Sequence, residues 1–291
     1  MTYKDIVLGG IKELKDAGVS EYELDARLLF EEAFGVDRSF LILNADTENT
    51  NADSCEKYKE YIEKRSKRVP LQHILGYQDF MGLRFEVDGR VLIPRQDTEI
   101  LVEEAIKELH DGMSVLDICT GSGCILISLL NYSNDCSGIG VDISEDALEV
   151  AKTNANMLLT SQTQKDSDIS FMKADVLSEF PTELMEPKFD LVVSNPPYIE
   201  SDVIEELEPE VKDFDPMLAL DGGKDGLVFY RRLSEVLDKT LKKGGWFFFE
   251  IGYNQAEAVK ELFSDEYTDI EVIKDYAGLD RVIKGRRKIN V

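Results

Sequence analysis

The sequence predicts an α/β protein, built on a seven-stranded, mostly parallel sheet with helices on both faces, preceded by a small helical bundle and a β-hairpin joint. Three observations carry this. Apolar residues recur at helical spacing through the first part of the chain; an alternating segment surrounds Asp88-Gly89; and beyond Pro94 short apolar runs alternate with helical stretches.

In the bundle, Ile6, Ile11 and Leu14 mark one helix, and Leu24, Leu28, Leu29 and Phe34 a second that stops at Gly35. A charged helical segment runs from Asp53 to Arg68, and Pro70 closes the bundle. Phe40, Leu41 and Leu43 read as core of this bundle rather than as docking surface. Alternation from Phe80 to Ile93 around Asp88-Gly89 predicts a two-residue hairpin as the joint. The expected division is residues 1–72, 73–93 and 94–291. A helix from about Thr98 to His110 then precedes strands at Ser114 to Cys119, Gly138 to Val141, Ile169 to Met172, Asp190 to Ser194, Gly245 to Ile251, Ile270 to Ile273 and Arg281 to Lys284. The stretch Glu200 to Lys224, with Pro209, Pro216 and Gly222-Gly223, reads as a long loop over the carboxyl ends of the strands, where such sheets bind ligands.

Composition narrows the function classes. With 33 basic and 58 acidic residues the net charge is −25, which repels a phosphate backbone, so nucleic acid is disfavoured as a direct partner. No run approaches 18 consecutive apolar residues and no basic, apolar leader opens the chain, so a cytoplasmic protein without membrane attachment is expected. A monomer is the expected state of the chain. Cys55, Cys119, Cys124 and Cys136 show no paired spacing, and with His73 and His110 they make no zinc set, so no metal is expected.

Two motifs carry chemistry. Val115 to Cys119, Thr120, Gly121, Ser122 and Gly123 run from strand through turn to helix, letting bare backbone approach a ligand and a helix N-terminus favour an anion. Leu126 stands where a dinucleotide fingerprint requires a third small residue, which argues against a nicotinamide cofactor. Asp142, at the end of the second strand, is placed to accept from two ribose hydroxyls. Asp175 can accept from an adenine amino group while Val176 packs on the ring. These features suit S-adenosyl-L-methionine, whose carboxylate needs a helix end and whose ribose needs an acid.

The second motif is Asn195-Pro196-Pro197-Tyr198, directly after the run Phe189 to Ser194. Each proline forces the residue before it into an extended conformation, so the loop leaves the strand with fixed carbonyl directions. The Asn195 side-chain oxygen and the Pro196 carbonyl can take both hydrogens of one -NH2 group, and Tyr198 offers a flat face to a planar group. Methyl transfer to an amide or amino nitrogen is the chemistry this predicts.

On these motifs the chain resembles the HemK/PrmC family of bacterial methyltransferases. The resemblance includes Asp25-Ala26-Arg27-Leu28-Leu29, Pro70 to Gly76, Ile93-Pro94-Arg95 with Asp97-Thr98-Glu99, and Leu220-Asp221-Gly222-Gly223 with Asp225-Gly226-Leu227. There are two departures: Cys119 in place of a glycine before Thr120 and Gln96 in place of a proline after Arg95. The resemblance implies a Rossmann-like class I S-adenosylmethionine-dependent fold. It also implies methylation of the side-chain amide N5 of the glutamine in the Gly-Gly-Gln motif of class 1 peptide chain release factors, with the helical domain docking the partner. By the same resemblance Cys119 to Gly123, Asp142, Val176 and Asn195 line the cofactor pocket, and Asn195 to Tyr198 hold the substrate glutamine. Methylation of a glutamine on a ribosomal protein, or of adenine N6 in nucleic acid, uses the same acceptor loop, and a non-catalytic module with a vestigial cofactor fold is the alternative of another class.

Overall fold

In the computed structural model, which describes residues 1–159, 168–178, 180–263 and 266–289, the chain divides into two units: Met1–Tyr77 with Glu208–Phe214, and Gln78–Leu207 with Asp215–Val291. Among the described residues no helix is long and apolar enough to cross a membrane, and no cluster of His, Cys, Asp or Glu is arranged to hold a metal ion.

The first unit holds helices α1 (Tyr3–Asp16), α2 (Tyr22–Phe34), α3 (Arg38–Asn44), α4 (Ala52–Ser66) and α5 (Leu71–Leu75). Thr2 and Asp5 form a reciprocal capping box at the start of α1, and Gly35 closes α2 in the left-handed conformation. Leu14, Ala26, Leu29, Phe30, Tyr58 and Ile62 form the core, where the Phe30 and Phe34 rings stack at 4.2 Å. Arg65 is buried and paired with Asp25 at 2.7 Å and Glu210 at 2.9 Å, so its charge is matched on two sides. The expectation of core for the segment after Gly35 holds only in part: Leu41 packs partly buried against the bundle core and Phe40 makes an edge contact with Tyr3, but Leu43 is 82% exposed. A seven-residue helix cannot turn all its apolar positions inward at 3.6 residues per turn.

The second unit opens with a two-stranded hairpin, β1 (Tyr77–Phe80) and β2 (Leu83–Glu86). The hairpin exists, but its turn is Met81-Gly82 rather than Asp88-Gly89. Met81 and Gly82 have φ of 50° and 70°, the pair of left-handed residues whose twist suits a tight hairpin. Met81 is held in place from outside: its N–H donates to Glu99 at 2.6 Å and its carbonyl accepts from the Tyr132 hydroxyl. Asp88-Gly89 forms a turn closed by the Val91 N–H on the Asp88 carbonyl, joining no strands.

Then follow α6 (Gln96–Glu108), β3 (Ser114–Ile118), α7 (Cys124–Asn131), β4 (Ser137–Asp142), α8 (Glu145–Leu158), β5 (Ile169–Lys173) and β6 (Phe189–Ser194). After α9 (Pro209–Lys212), which belongs to the first unit, come α10 (Met217–Leu220), α11 (Val228–Thr240), β7 (Leu241–Glu250), α12 (Ala256–Lys260), β8 (Tyr267–Lys274) and β9 (Asp280–Arg287). All seven expected strands are present, in the order β5-β4-β3-β6-β7-β9-β8. The first five are mutually parallel, and β9 runs antiparallel between β7 and β8. Alternation sorts the core: Val115, Leu191, Val193 and Phe248 pack with Leu101, Ile125 and Leu129, whereas Leu116, Val192, Phe247 and Phe249 pack with Tyr230, Leu233 and Leu237. The chain leaves β3 toward β4 on one side and returns to β6 on the other, which opens a crevice at the carboxyl ends of these strands.

Candidate active site

That crevice is a cavity of about 220 Å³. On its wall stand Cys119, Thr120, Gly121, Ser122, Asp142, Asp175, Val176, Asn195 and Pro197, so most of the residues singled out by sequence are brought to one site. Gly123, Pro196 and Tyr198 are not on the wall and act from behind it.

The turn after β3 is made of backbone in unusual conformations. Cys119, Gly121 and Gly123 have φ of 62°, 54° and 80°. Gly123 admits no side chain, because a Cβ there would come within 2.8 Å of Ile127 and 3.2 Å of Ala151, so α7 lies close against α8. Gly123 at the start of α7 supplies no side-chain cap; Cys124 and Ile125 of the first turn line the cavity, while the Leu126 N–H is turned to the buried Asp117 carboxyl. Thr120 donates its hydroxyl to Asp117 at 2.7 Å. Asp117 is fully buried, and burial pushes its carboxyl up to about 7 against that hydrogen bond.

Asp142 accepts the Gly121 N–H on one oxygen and the Ser144 N–H on the other, both at 2.9 Å. It therefore ties the ends of β3 and β4 together with its carboxylate on the cavity wall, and burial raises its pKa from the ordinary value. Ser144, not Asp142, caps α8 by accepting the Ala147 N–H at 3.2 Å. Asp175 accepts the Leu177 N–H at 2.9 Å, a turn that presents Val176 to the cavity.

Asn195 follows β6, whose end is pinned to β3 by the Ser194 hydroxyl on the Ile118 carbonyl at 2.6 Å. The Asn195 amide nitrogen donates to Thr98 Oγ1 at 3.3 Å, Thr98 donates to Glu250 Oε2 at 2.6 Å, and the Tyr198 hydroxyl donates to Glu250 Oε1 at 3.2 Å. Tyr198 thus turns its hydroxyl inward, and its ring packs on the core beneath the sheet rather than on the cavity. The Tyr198 carbonyl accepts from Gln255 at 2.9 Å, and Ile199 pairs with Asp221, so the stretch from Leu220 to Gly223 braces the loop from outside. Gly222 is required there: a Cβ would lie 2.7 Å from Tyr198 Cα.

Sequence reading missed Thr98, Glu250, Gln255 and Asn154. Asn154 is fully buried and bonds the Glu86 backbone in both directions while donating to the Ser122 carbonyl at 3.0 Å, fixing the glycine turn from α8. Glu250 did leave a signal, a lone carboxylate at the end of the run Trp246 to Phe249 in a central strand, where burial of a charge demands partners. Burial raises its pKa, opposed by the Thr98 hydroxyl and by the charge of Arg281.

Comparison with known proteins gives this geometry its relatives. Residues 5–76 match the family model described as PrmC N-terminal domain and residues 109–275 that described as Methyltransferase domain. The chain is 41% identical over 94% of its length to a release factor glutamine methyltransferase of Caulobacter vibrioides, covering 92% of it. It is also 41% identical over 97% of its length to one of Clostridium acetobutylicum, covering 98% of it. Among solved structures, a methyltransferase from Pyrococcus furiosus shares the fold at a TM-score of 0.52 and 19% identity, over 72% of this chain and 90% of that one. A methyltransferase domain of this class implies, in general terms, S-adenosylmethionine as methyl donor. With the seven-stranded methyltransferase sheet and the helical unit accounted for over nearly the whole length, the chain belongs to the release factor glutamine methyltransferase family.

Proposed function

We propose that this chain transfers a methyl group from S-adenosyl-L-methionine to the side-chain amide N5 of the glutamine in the Gly-Gly-Gln motif of class 1 peptide chain release factors. The observation that supports this most directly is the Asn195 amide: its nitrogen is taken by Thr98, which leaves Oδ1 as an acceptor at the cavity wall beside the extended Pro196-Pro197 backbone.

The cavity wall suits the cofactor. The uncapped start of α7 favours its carboxylate, Asp142 and Asp175 offer acceptors for ribose hydroxyls and an adenine amino group, and Val176 offers an apolar face. Cys119, Thr120, Gly121 and Ser122 would line its methionine portion, with Gly123 admitting α7 close behind them. When bound, the cofactor supplies an electrophilic methyl group on a sulfonium.

An amide nitrogen is a poor nucleophile because its lone pair is delocalised into the carbonyl, so positioning must supply most of the rate. In this reading Asn195 Oδ1 and the Pro196 carbonyl accept the two amide hydrogens and hold the nitrogen toward the methyl group. Tyr198 anchors the loop through Glu250 rather than stacking on the substrate. With the cofactor bound, its sulfonium would supply the methyl group to the nitrogen that Asn195 Oδ1 and the Pro196 carbonyl hold, and the amide proton would leave to water. The helical unit is the proposed docking module for the partner.

The test is incubation with labelled S-adenosylmethionine and a class 1 release factor, in parallel with the same factor carrying alanine for the Gly-Gly-Gln glutamine, read by peptide mass spectrometry. One added methyl on that glutamine, absent from the alanine form, is the expected result. Intact cofactor binding without transfer would reject the substrate assignment.

A further inference from the structure

We propose that Thr98 and Glu250 are positioning residues that fix the flip of the Asn195 side-chain amide, and so decide which of its two ends meets the acceptor nitrogen. The proposal rests on the acceptor role assigned to Asn195 above.

An asparagine amide is nearly symmetric in shape and opposite in function at its two ends: the oxygen accepts and the nitrogen donates. Only the oxygen end can hold a substrate -NH2 group. The Pro-Pro backbone fixes where the Asn195 side chain starts but does not choose between the two flips, which differ by a rotation about one terminal bond. Something next to the amide has to choose.

Thr98 is the neighbour, 1% exposed and on the lining of the cavity, so its hydroxyl bonds chiefly to protein groups. A threonine hydroxyl has one hydrogen, and here it is spent on Glu250 Oε2 at 2.6 Å, the shortest link of the chain. Thr98 Oγ1 can then only accept from Asn195, which forces Nδ2 toward it, at 3.3 Å, and turns Oδ1 away. Glu250 sets the polarity because two hydroxyls, from Thr98 and Tyr198, donate to its two oxygens, and because its own backbone carbonyl is fixed by the Tyr230 hydroxyl at 2.7 Å. It is 1% exposed and on the last residue of β7, so the device stands on a central strand rather than on a loop. The same carboxyl group holds Tyr198, three residues beyond Asn195, so one buried side chain anchors the acceptor loop at both ends.

Thr98→Val keeps the shape and removes the hydroxyl; Thr98→Ser keeps the hydroxyl. Glu250→Gln keeps the shape and gives Thr98 a donor to face, which allows its hydroxyl to turn toward Asn195 and reverse the amide. Valine and glutamine variants are expected to lose about 10- to 100-fold in kcat with cofactor affinity by calorimetry and KM for the acceptor protein within about threefold, and serine is expected to restore kcat to within about fivefold. An unchanged kcat in the valine variant, or no difference between valine and serine, overturns the proposal. A second measurement needs no substrate: the Asn195 side-chain amide protons, assigned by their loss in Asn195→Ala, should exchange slowly with solvent in the wild type and faster in Thr98→Val. Equal exchange rates overturn the relay even where catalysis is altered. Wild-type protein that methylates no release factor overturns the substrate reading above and leaves the exchange test standing.

Discussion

The turn from Asp117 to Gly123 and the loop from Asn195 to Tyr198 leave adjacent parallel strands at the same edge of the sheet, and they are built by opposite means. The first is made of left-handed backbone and offers N–H groups; the second is made of prolines and offers oxygen atoms. The first depends on what glycine lacks, since a Cβ at Gly123 would meet Ala151, and its backbone is held by the Asp142 and Asn154 side chains. The second is supported by side chains far away in sequence, Thr98, Glu250 and Gln255. Binding an anion needs backbone that can come close, whereas aligning a weak nucleophile needs backbone that cannot move.

If this division of labour is right, substitutions in the two segments should separate in kinetics. Asn195→Ala carries the largest expected effect: turnover falls about 100- to 1,000-fold while cofactor affinity stays within a few-fold, because the lost acceptor acts on the nitrogen in the transition state. Steady-state kinetics paired with calorimetry reads both numbers, and comparable losses in the two would abolish the distinction. Asp142→Ala should show the converse, with cofactor affinity weakened about 10- to 100-fold through the loss of a charged acceptor, and a smaller change in turnover at saturating cofactor. Since Asp142 also accepts the Gly121 N–H, part of that loss will come from a loosened turn, and the variant should melt at a lower temperature.

The same contrast explains what could be read in advance. Strands, helices and the glycine turn were legible because their signals are local: apolar runs of strand length, glycines where φ is positive, Asn and Pro adjacent in the chain. The hairpin was legible in kind but not in place. Asp88-Gly89 has the better local turn chemistry, yet the turn sits at Met81-Gly82 because Glu99 and Tyr132 reach in from elsewhere to hold it. The support of Asn195 was hidden for the same reason. Thr98 and Asn195 are 97 residues apart and Thr98 and Glu250 are 152 apart, and no periodicity relates them. The bond from the Tyr198 hydroxyl to Glu250 was hidden too, because a residue type says nothing about which way its ring turns.

A smaller effect tests the buried carboxylate beneath the glycine turn. Asp117 holds its proton up to about pH 7 in the folded protein, whereas an exposed aspartate releases it near 3.8. Folding therefore keeps a proton that the unfolded chain gives up. Its contribution is complete below about pH 4, and it is lost as pH rises toward about 7. Asn at this position carries no such proton. The melting temperature of Asp117→Asn, compared with wild type across that range, should gain on wild type as pH rises and run parallel to it above pH 7. A constant difference from pH 4 to 8 would mean that Asp117 is ionised throughout.

The smallest effect lies at Cys119, where a side chain occupies a conformation that glycine adopts freely. At φ of 62° a Cβ approaches the following carbonyl, a strain of about 1–2 kcal/mol per residue. Alanine at this position keeps the strain and gives up the contacts of the sulfur with the core. Glycine gives up the same contacts and relieves the strain, at about 0.5–1 kcal/mol of extra backbone entropy. Cys119→Gly should therefore be more stable than Cys119→Ala by about 0.5–1 kcal/mol, a few degrees at most in thermal melting, the reverse of the order found in a helix or strand. An alanine variant as stable as the glycine one would show that the turn tolerates a Cβ without strain. In that case the cysteine reflects only a loop with room for it. The expected order instead makes Cys119 a residue kept for its contacts at the cavity wall, and the cost of keeping it falls on the backbone of the segment that must come closest to the cofactor.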